Sequence, residues 1–441
     1  MRHSFRGQYM QDRYGYEVTS SSARAVEHLD EALRLSTSLR LGAVDAYKDC
    51  LAEDSDLALA HAGLAFLLSA GGQTVRAGES LTTARRLGVT TTRREQQHIE
   101  VVGAFVAGDL ERTLELGREH LSEFPRDIRM IGVTIFSLNF GGRPDRKRAA
   151  LQLMRSLRPA LEGEGYWESA LGFLCTENDL WVEGRRHAEI GFAADPGSFH
   201  GAHVVTHVHH EAGDTTSGLG FLGPWLDTAD GATPYSGHLT WHLALFELAR
   251  GETERAIAIF DRSLRPAVYP GIPRASLTDA SSFLWRLNLY GVPLPEGAAA
   301  EVRELASEHF TESSTSFIDA HVALALGSCG DVEAVDRWAS MLRSHLADGK
   351  VAAGEVLPII AEAVADFARG QFDACADLLD SRTEEFVRLG GSRAQFEVFA
   401  DTLIGACLRS GRNERARQLL DERLKRRPSR ADERLLAAAM G

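Results

Sequence analysis

A chain of 441 residues, 44% of them apolar, can bury a large core but is too long for one compact globule. Its net charge of −14 argues against nucleic-acid binding, which needs clustered Lys and Arg, and its five scattered cysteines indicate neither a disulfide framework nor a zinc knuckle. Because the sequence has no signal-peptide pattern and no run of 18 apolar residues, we expect a cytoplasmic protein that does not enter a membrane.

Beyond an N-terminal extension, residues 1–23, helical segments alternate with short Gly, Asp or Pro turns along most of the chain. The clearest such units lie at residues 57–72, 99–127, 241–266, 321–346, 365–386 and 403–428. Because one pair of helices cannot cover its own apolar face, neighbouring pairs must stack. We therefore predict a single all-α domain over residues 24–441, a tetratricopeptide-like α-solenoid that winds as a right-handed superhelix.

Two Pro-rich stretches, PAVYPGIPRASLTD and YGVPLPEG, interrupt the middle of the array. Proline is rare in helix interiors and common in loops. We therefore predict loop insertions near residues 266–297 that reach over the inner groove of the solenoid as lids.

The stretch GAHVVTHVHHEAGD, residues 201–214, places four histidines within eight positions. On a helix, positions i, i+4 and i+7 lie on nearly one line, so His203, His207 and His210 share a stripe. The repeat register turns this stripe toward the groove. The side chain of His209 points the other way, and we expect it to be partly in the core.

The next repeat carries His238 and His242, again at i and i+4, on the first helix of its pair. Equivalent helices of adjacent repeats lie about 10 Å apart. We therefore predict that these two residues converge with His203 and His207 in one cluster roughly 10 Å across.

Six stretches of the chain share the order and spacing of motifs in a known family. They are TTRREQQH (91–98), HVVTHVHHEAGD (203–214), GHLTWHLALFELARGETERAIAIFD (237–261), DASSFLWRL (279–287), FIDAHVALALG (317–327) and LGGSRAQFEVF (389–399). Over roughly residues 24–440 the chain resembles the tetratricopeptide repeat protein 38 family, and it looks like a bacterial member.

The resemblance implies a long tetratricopeptide-like solenoid, but it brings no activity that defines the family. It also implies that the polar positions inside the matching motifs belong together. These positions are His98, His203, His207, His209, His238, Trp241, His242, Asp279, Asp319, His321, Arg393 and Gln395. His210 departs from the family pattern, because it stands where an acidic side chain is expected.

Three interpretations of the histidines compete. In the first, the histidines are hydrogen-bonded to neighbouring helices in a scaffold that binds a peptide or a protein. In the second, they are the acid/base groups of a small-molecule site. In the third, they are metal ligands. A neutral imidazole exchanges protons near physiological pH, and Asp319 could orient or charge His321. Histidines at i and i+4 are a common zinc arrangement, but the chain has no HExxH motif and no cysteine beside them.

We favour a pocket for a small polar or anionic molecule in a metal-independent acid/base enzyme whose reaction is not assignable. The predicted catalytic residues are His203, His207, His238, His242, Asp319 and His321, and the predicted ligand-binding residues are His98, Trp241, Asp279, Arg393 and Gln395. No cofactor is expected. The alternatives are a scaffold for a peptide or protein partner, and a zinc or other divalent-metal site on the four clustered histidines. A homodimer is compatible with each alternative.

Overall fold

The computed structural model describes residues 9–229, 233 and 235–440. Within these residues a short antiparallel hairpin, β1 (Tyr9–Gln11) and β2 (Glu17–Thr19), precedes a series of α-helices and one 3-10 helix, Thr383–Leu389. The first twelve helices are α1 (Ala23–Thr37), α2 (Ala43–Glu53), α3 (Ala58–Ala70), α4 (Thr74–Gly88), α5 (Arg93–Val106), α6 (Leu110–Glu123), α7 (Ile128–Phe140), α8 (Arg146–Ser156), α9 (Arg158–Leu161), α10 (Gly165–Glu177), α11 (Trp181–Ala194) and α12 (Phe199–Glu211). The others are α13 (Thr215–Thr228), α14 (Ser236–Arg250), α15 (Thr253–Ser263), α16 (Pro273–Leu289), α17 (Ala298–His309), α18 (Ser316–Ser328), α19 (Val332–Ala347), α20 (Val356–Ala368), α21 (Phe372–Asp380), α22 (Arg393–Arg409), α23 (Asn413–Arg426) and α24 (Arg430–Ala439).

Within each unit many consecutive helices pack in pairs, and neighbouring pairs contact one another, as α3 and α4 do with α5 and as α18 and α19 do with α20. The protein is therefore an all-α, tetratricopeptide-like α-solenoid built from helix-turn-helix repeats, which confirms the predicted fold class. Among the described residues, no helix is both long enough and apolar enough to cross a membrane.

A Gly-Asp turn recurs between the two helices of a pair. Gly108 adopts a left-handed φ of 76°, which glycine tolerates without strain, and the side chain of Asp109 accepts a hydrogen bond from the backbone N–H of Arg112. The same turn follows α12, where Gly213 has a φ of 68° and Asp214 caps α13. The turn ends one helix and begins the next within two residues, which explains the short connections of the array.

The chain divides into two compact units. Unit 1 comprises the described residues of Met1–Leu138, with Ala149–Leu171 and Ile190–Gly201. Unit 2 comprises Asn139–Arg148, Gly172–Glu189 and the described residues of Ala202–Gly441. The domain boundaries predicted from the sequence, 1–23 and 24–441, stay predictions.

Each unit has its own apolar core. The core of unit 1 includes side chains of β2 and of α1 to α3, among them Val18, Leu29 and Tyr47. The core of unit 2 extends from α14 to α24 and contains the fully buried rings of Trp285 and Phe283.

Of the mid-chain segment 266–297, residues 266–272 and 290–297 are non-helical connections, as predicted, but residues 273–289 form a helix where the first loop was expected to continue. This helix is α16, Pro273–Leu289, whose residues 276–287 are all buried in unit 2. Pro273 occupies the first turn of this helix, where the missing N–H would have had no helical partner. The proline that we interpreted as a loop signal therefore begins a core helix, and α16 cannot act as a lid.

Candidate functional site

Two histidines of α12, His203 and His207, meet the two histidines of α14, His238 and His242, inside unit 2. The ring centroid of His203 lies 4.5 Å from that of His207, 5.1 Å from that of His238 and 5.2 Å from that of His242. His242 is also 4.6 Å from His207 and 5.0 Å from His238. The predicted convergence is thus confirmed. We call these four residues the histidine cluster.

Ring nitrogens within the histidine cluster are close enough to share a ligand. His203, His238 and His242 each offer one nitrogen, and the three nitrogens lie within 4.8 Å of one another. The Nε2 atoms of His203 and His207 are 3.0 Å apart. All four side chains are buried, so their environment is poor in water.

Oxygen atoms around the cluster orient two of the rings. Asp279 accepts a hydrogen bond from Nδ1 of His238 at 3.0 Å and another from the hydroxyl of Tyr269 at 2.6 Å. With its proton on Nδ1, His238 carries a lone pair on Nε2. The hydroxyl of Tyr235 lies 3.1 Å from Nδ1 of His203. Such outer hydrogen bonds set the tautomer and the direction of metal-binding imidazoles.

His242 is the most unusual member of the cluster. Its side chain is fully buried, and neither ring nitrogen has a hydrogen-bond partner among the described residues. Burial, together with the neighbouring histidines, holds the pKa of His242 well below its ordinary value. Burial likewise lowers the pKa of His207 to about 4. Both imidazoles are therefore neutral at physiological pH.

An acidic group of residues adjoins His207. Glu177 and Glu211 each offer an oxygen within 4.8 Å of a ring nitrogen of His207. Lys147 lies 2.9 Å from Glu177, and Arg393 contacts Glu211 at 3.2 Å. Burial alone would raise the pKa of Glu177, but the charges of Lys147 and Arg393 lower it to about 2.

Glu211 is only partly satisfied. Its side chain is fully buried, and Oε1 has no hydrogen-bond partner among the described residues. Burial, reinforced by the charge of Glu177, raises the pKa of Glu211. A positive charge near this carboxylate would therefore be stabilised.

His209 and His210, the other two histidines of the stretch 201–214, have other partners. Nε2 of His210 is 2.7 Å from a guanidinium nitrogen of Arg427, which also pairs with Glu397. His209 is only partly buried and lies 3.7 Å from Asp214. His209 therefore lies partly in the core, as expected, but the stripe that we assigned to the groove is the more deeply buried one.

Asp319 and His321 do not contact the histidine cluster. Asp319 accepts hydrogen bonds from the hydroxyl of Ser313 and the backbone of Ser314. Burial raises the pKa of Asp319 to about 6. Nδ1 of His321 donates to the carbonyl oxygen of Phe317 at 2.7 Å, and burial lowers its pKa to about 4. These contacts give both side chains structural partners and leave their predicted catalytic roles without support.

Arg393 and Gln395 both serve the start of α22. Gln395 and Ser392 form a capping box, in which each side chain bonds the other residue's backbone N–H. Arg393 pairs with Asp179 and Glu211. Arg393, which the sequence predicted to bind a ligand, thus forms ion pairs within the protein.

His98 belongs to a different cluster, in unit 1. Its Nδ1 lies 3.0 Å from Asp127, which also contacts His120 at 3.1 Å and Arg94 at 3.4 Å. Burial opposes ionisation of Asp127, yet the two histidines and Arg94 hold its pKa well below the ordinary value. A carboxylate that already has three partners, one of them a permanent cation, is a poor metal ligand.

Trp241 and Asp279, both predicted to bind a ligand, do adjoin the cluster. The ring of Trp241 stacks on His238 with centroids 5.3 Å apart, and its buried N–H has no partner among the described residues. The sequence analysis did not include Tyr235, Tyr269, Lys147, Glu177 or Glu211 in the site. Only Glu211 carried a local signal, since it directly follows the histidine-rich stretch.

No model of a known protein family matches the chain. Similar solved structures include Naa15/Naa10 bound to HypK-THB, with 11% identity and a TM-score of 0.25 over 95% of this chain. The chain spans 65% of the length of that match. A human IFIT1 dimer with m7Gppp-AAAA matches over 98% of both chains, with 11% identity and a TM-score of 0.36. The P58(IPK) TPR domain matches over 92% of this chain and 100% of its own, with 12% identity and a TM-score of 0.21. The assignment of the fold rests on the helix pairs described above, not on these likenesses.

Proposed function

We propose that unit 2 binds one divalent transition-metal ion of the zinc class through His203, His238 and His242. The observation that carries the proposal is His242, a fully buried, neutral imidazole with two unpartnered nitrogens. An unpaired buried polar group costs about 1–3 kcal/mol. A metal ion that accepts a lone pair from His242 removes this cost.

The surroundings of the cluster fit a cation. Asp279 supports His238 in the carboxylate–histidine–metal arrangement, and Tyr235 supports His203 through its hydroxyl. Outside the imidazoles stand three buried carboxylates, Asp279, Glu177 and Glu211, against two cations, Lys147 and Arg393. The excess of negative charge stabilises a positive ion bound by neutral ligands.

The same geometry speaks against metal-independent acid/base chemistry. A general base works best when its pKa lies near the working pH. The pKa of about 4 that burial imposes on His207, and the still stronger shift of His242, make both imidazoles weak bases. Low basicity toward protons does not prevent binding to a metal ion, which needs the neutral form.

Three protein ligands are the number found at catalytic zinc sites, whereas structural sites use four. A metal ion with an open position lowers the pKa of a bound water and makes it a nucleophile. His207, whose Nε2 is 3.0 Å from that of His203, adjoins the three ligands and can hydrogen-bond a group in the fourth position. We therefore propose that the protein is a metal-dependent enzyme whose reaction is not assigned. We also propose, from the resemblance of its motifs, that it is a cytoplasmic bacterial member of the tetratricopeptide repeat protein 38 family.

The test is metal binding by the purified full chain after chelator treatment. Elemental analysis and calorimetric titration with Zn²⁺ should give one ion per chain. His242→Gln should weaken binding more than about 100-fold, and Asp279→Asn about 10- to 100-fold, because the outer carboxylate orients a ligand. His309→Gln changes an exposed histidine of the same unit and should bind as the wild type does.

The outcomes separate the alternatives. A wild-type chain that binds no Zn²⁺, Co²⁺, Ni²⁺ or Mn²⁺ contradicts the proposal. If His242→Gln also lowers the melting temperature in that case, the histidines are structural and the protein is better described as a scaffold for a peptide or protein.

A further inference from the structure

Unit 1 contains a cavity of about 370 Å³ that is independent of the histidine cluster. It lies among the end of α1, the starts of α10 and α12, the end of α11 and the turn after β1. Its volume falls within the range of small-molecule sites, about 300–1,000 Å³. Most of its lining residues are polar, so it suits a hydrophilic ligand.

Two of the four charged side chains that line the cavity already have partners. Arg34 forms two hydrogen bonds of 2.7 Å with Glu31, and Asp195 pairs with Arg40 at 2.8 Å. Within each pair the two opposite charges neutralise each other. The two pairs leave Arg13 and Glu164 as the charges that are available to a ligand.

Arg13 and Glu164 face the cavity as an unpaired cation and an unpaired anion. Within the described residues neither forms an ion pair. Oε2 of Glu164 accepts the backbone N–H of Trp167 at 2.8 Å, while Oε1 accepts only a long hydrogen bond of 3.4 Å from the hydroxyl of Tyr14. Burial raises the pKa of Glu164, and the nearby charge of Arg13, which forms no ion pair with it, offsets this effect only in part.

Uncharged polar groups of the lining are also unpaired. The hydroxyl of Ser169, a residue only 2% exposed, makes no hydrogen bond among the described residues. The same holds for the hydroxyl of Tyr166 and the imidazole of His200, whose ring centroids are 5.2 Å apart and whose planes are tilted by 34°. Buried polar groups in folded proteins are normally paired. The unpaired hydroxyl of the buried residue Ser169, beside the partly buried Tyr166 and His200, therefore points to a bound polar molecule.

We propose that this cavity binds a zwitterion of amino-acid or dipeptide size. Glu164 would pair with its ammonium group and Arg13 with its carboxylate. Ser169 and Tyr166 would supply hydrogen bonds, and the neighbouring rings of Tyr166 and His200 would pack against its side chain. A ligand with a single charge would leave either Arg13 or Glu164 unpaired.

The test is a thermal-shift screen of the full chain against the twenty free L-amino acids and their glycyl dipeptides, followed by calorimetry. At least one should bind, and its N-acetylated and amidated forms should bind at least about tenfold more weakly, because each lacks one charge. Arg13→Gln and Glu164→Gln should cause a similar loss. Arg118→Gln removes an exposed arginine of unit 1 outside the cavity and should bind normally.

The proposal is overturned if none of these compounds binds at millimolar concentration. It is also overturned if the capped forms bind as well as the free ones, or if Arg13→Gln and Glu164→Gln bind as the wild type does. Circular dichroism of the variants confirms that they are folded. The Zn²⁺ titration of the same preparations tests the metal centre separately.

Discussion

His321 shows how burial determines the character of a single residue. The sequence placed it two positions after Asp319, a spacing that favours an acid/base pair. In the structure its ring packs against Phe317 and Phe399, and Nδ1 donates to the carbonyl oxygen of Phe317. Successive positions on a helix point in different directions, so sequence proximity did not bring the two side chains together.

The low pKa of His321 predicts a pH-dependent stability. In the unfolded chain its pKa is about 6.5, and in the folded chain burial lowers it to about 4. The unfolded chain therefore binds more protons between these values, so stability falls as the pH falls. Between pH 6.5 and 5 the wild type should lose roughly 1.5 kcal/mol more of its unfolding free energy than His321→Gln.

Denaturant unfolding of both metal-free proteins at the two pH values checks this prediction. The glutamine variant keeps a hydrogen-bond donor but does not titrate. The substitution should therefore change mainly the dependence of the unfolding free energy on pH. Parallel losses in the two proteins would show that His321 has the same pKa in the folded and unfolded chains.

Sequence reasoning found the centre of the site but not its surroundings. Helical periodicity puts His203 with His207, and His238 with His242, and the repeat geometry brings the two pairs together. Lys147, Glu177 and Tyr269 belong to segments far away in the sequence. No spacing rule links them to the histidines, since their contacts depend on how the helices pack.

At the scale of helices, small residues decide how closely neighbours approach. Gly218 of α13 faces α14. A Cβ atom added at Gly218 would lie 2.4 Å from Cζ of Phe246 in α14. The Phe246 ring is fully buried and has no room to move away. On the same helix, a Cβ atom at Gly220 would meet nothing within 4 Å.

These two glycines give opposite predictions on one helix. Gly218→Ala should lower the free energy of unfolding by about 1–3 kcal/mol, because it overpacks the contact with Phe246. Gly220→Ala should raise it by about 0.5–1 kcal/mol, because alanine loses less backbone entropy than glycine in a helix. Denaturant unfolding measures both, and a stabilised Gly218→Ala would show that α13 and α14 are not in close contact.

The sequence predicted the pairing of helices from their Gly-Asp turns and apolar faces, but it did not predict α16. Its first turn contains a proline, and Thr278, Asp279, Ser281 and Ser282 interrupt its apolar pattern although all four are buried. A helix buried on all sides loses the amphipathic period that identifies it in a sequence. The same reason hid the structural role of Asp279, which faces His238 and Tyr269 rather than solvent.

At the scale of the whole molecule, the division into units follows contacts rather than sequence order. The chain passes from one unit to the other at five points between Leu138 and Ala202. No linker marks these points in the sequence, because each of them falls inside a helix. A sequence read as a uniform array therefore predicts a single domain and gives no sign of the division.

The proposed metal centre lies wholly in unit 2, and this location predicts where Zn²⁺ should stabilise the molecule. A ligand that binds only the folded state adds about 2.7 kcal/mol at a concentration of 100 Kd. Amide hydrogens that exchange only when unit 2 opens should then exchange about 100-fold more slowly. Hydrogen–deuterium exchange should show this effect in peptides from α12 and α14, with no change in α3 and α4 of unit 1.

The control is His242→Gln, in which Zn²⁺ should protect no helix. Equal protection of both units in the wild type would mean that they open together, and protection of unit 1 alone would contradict the assignment of the metal to the histidine cluster.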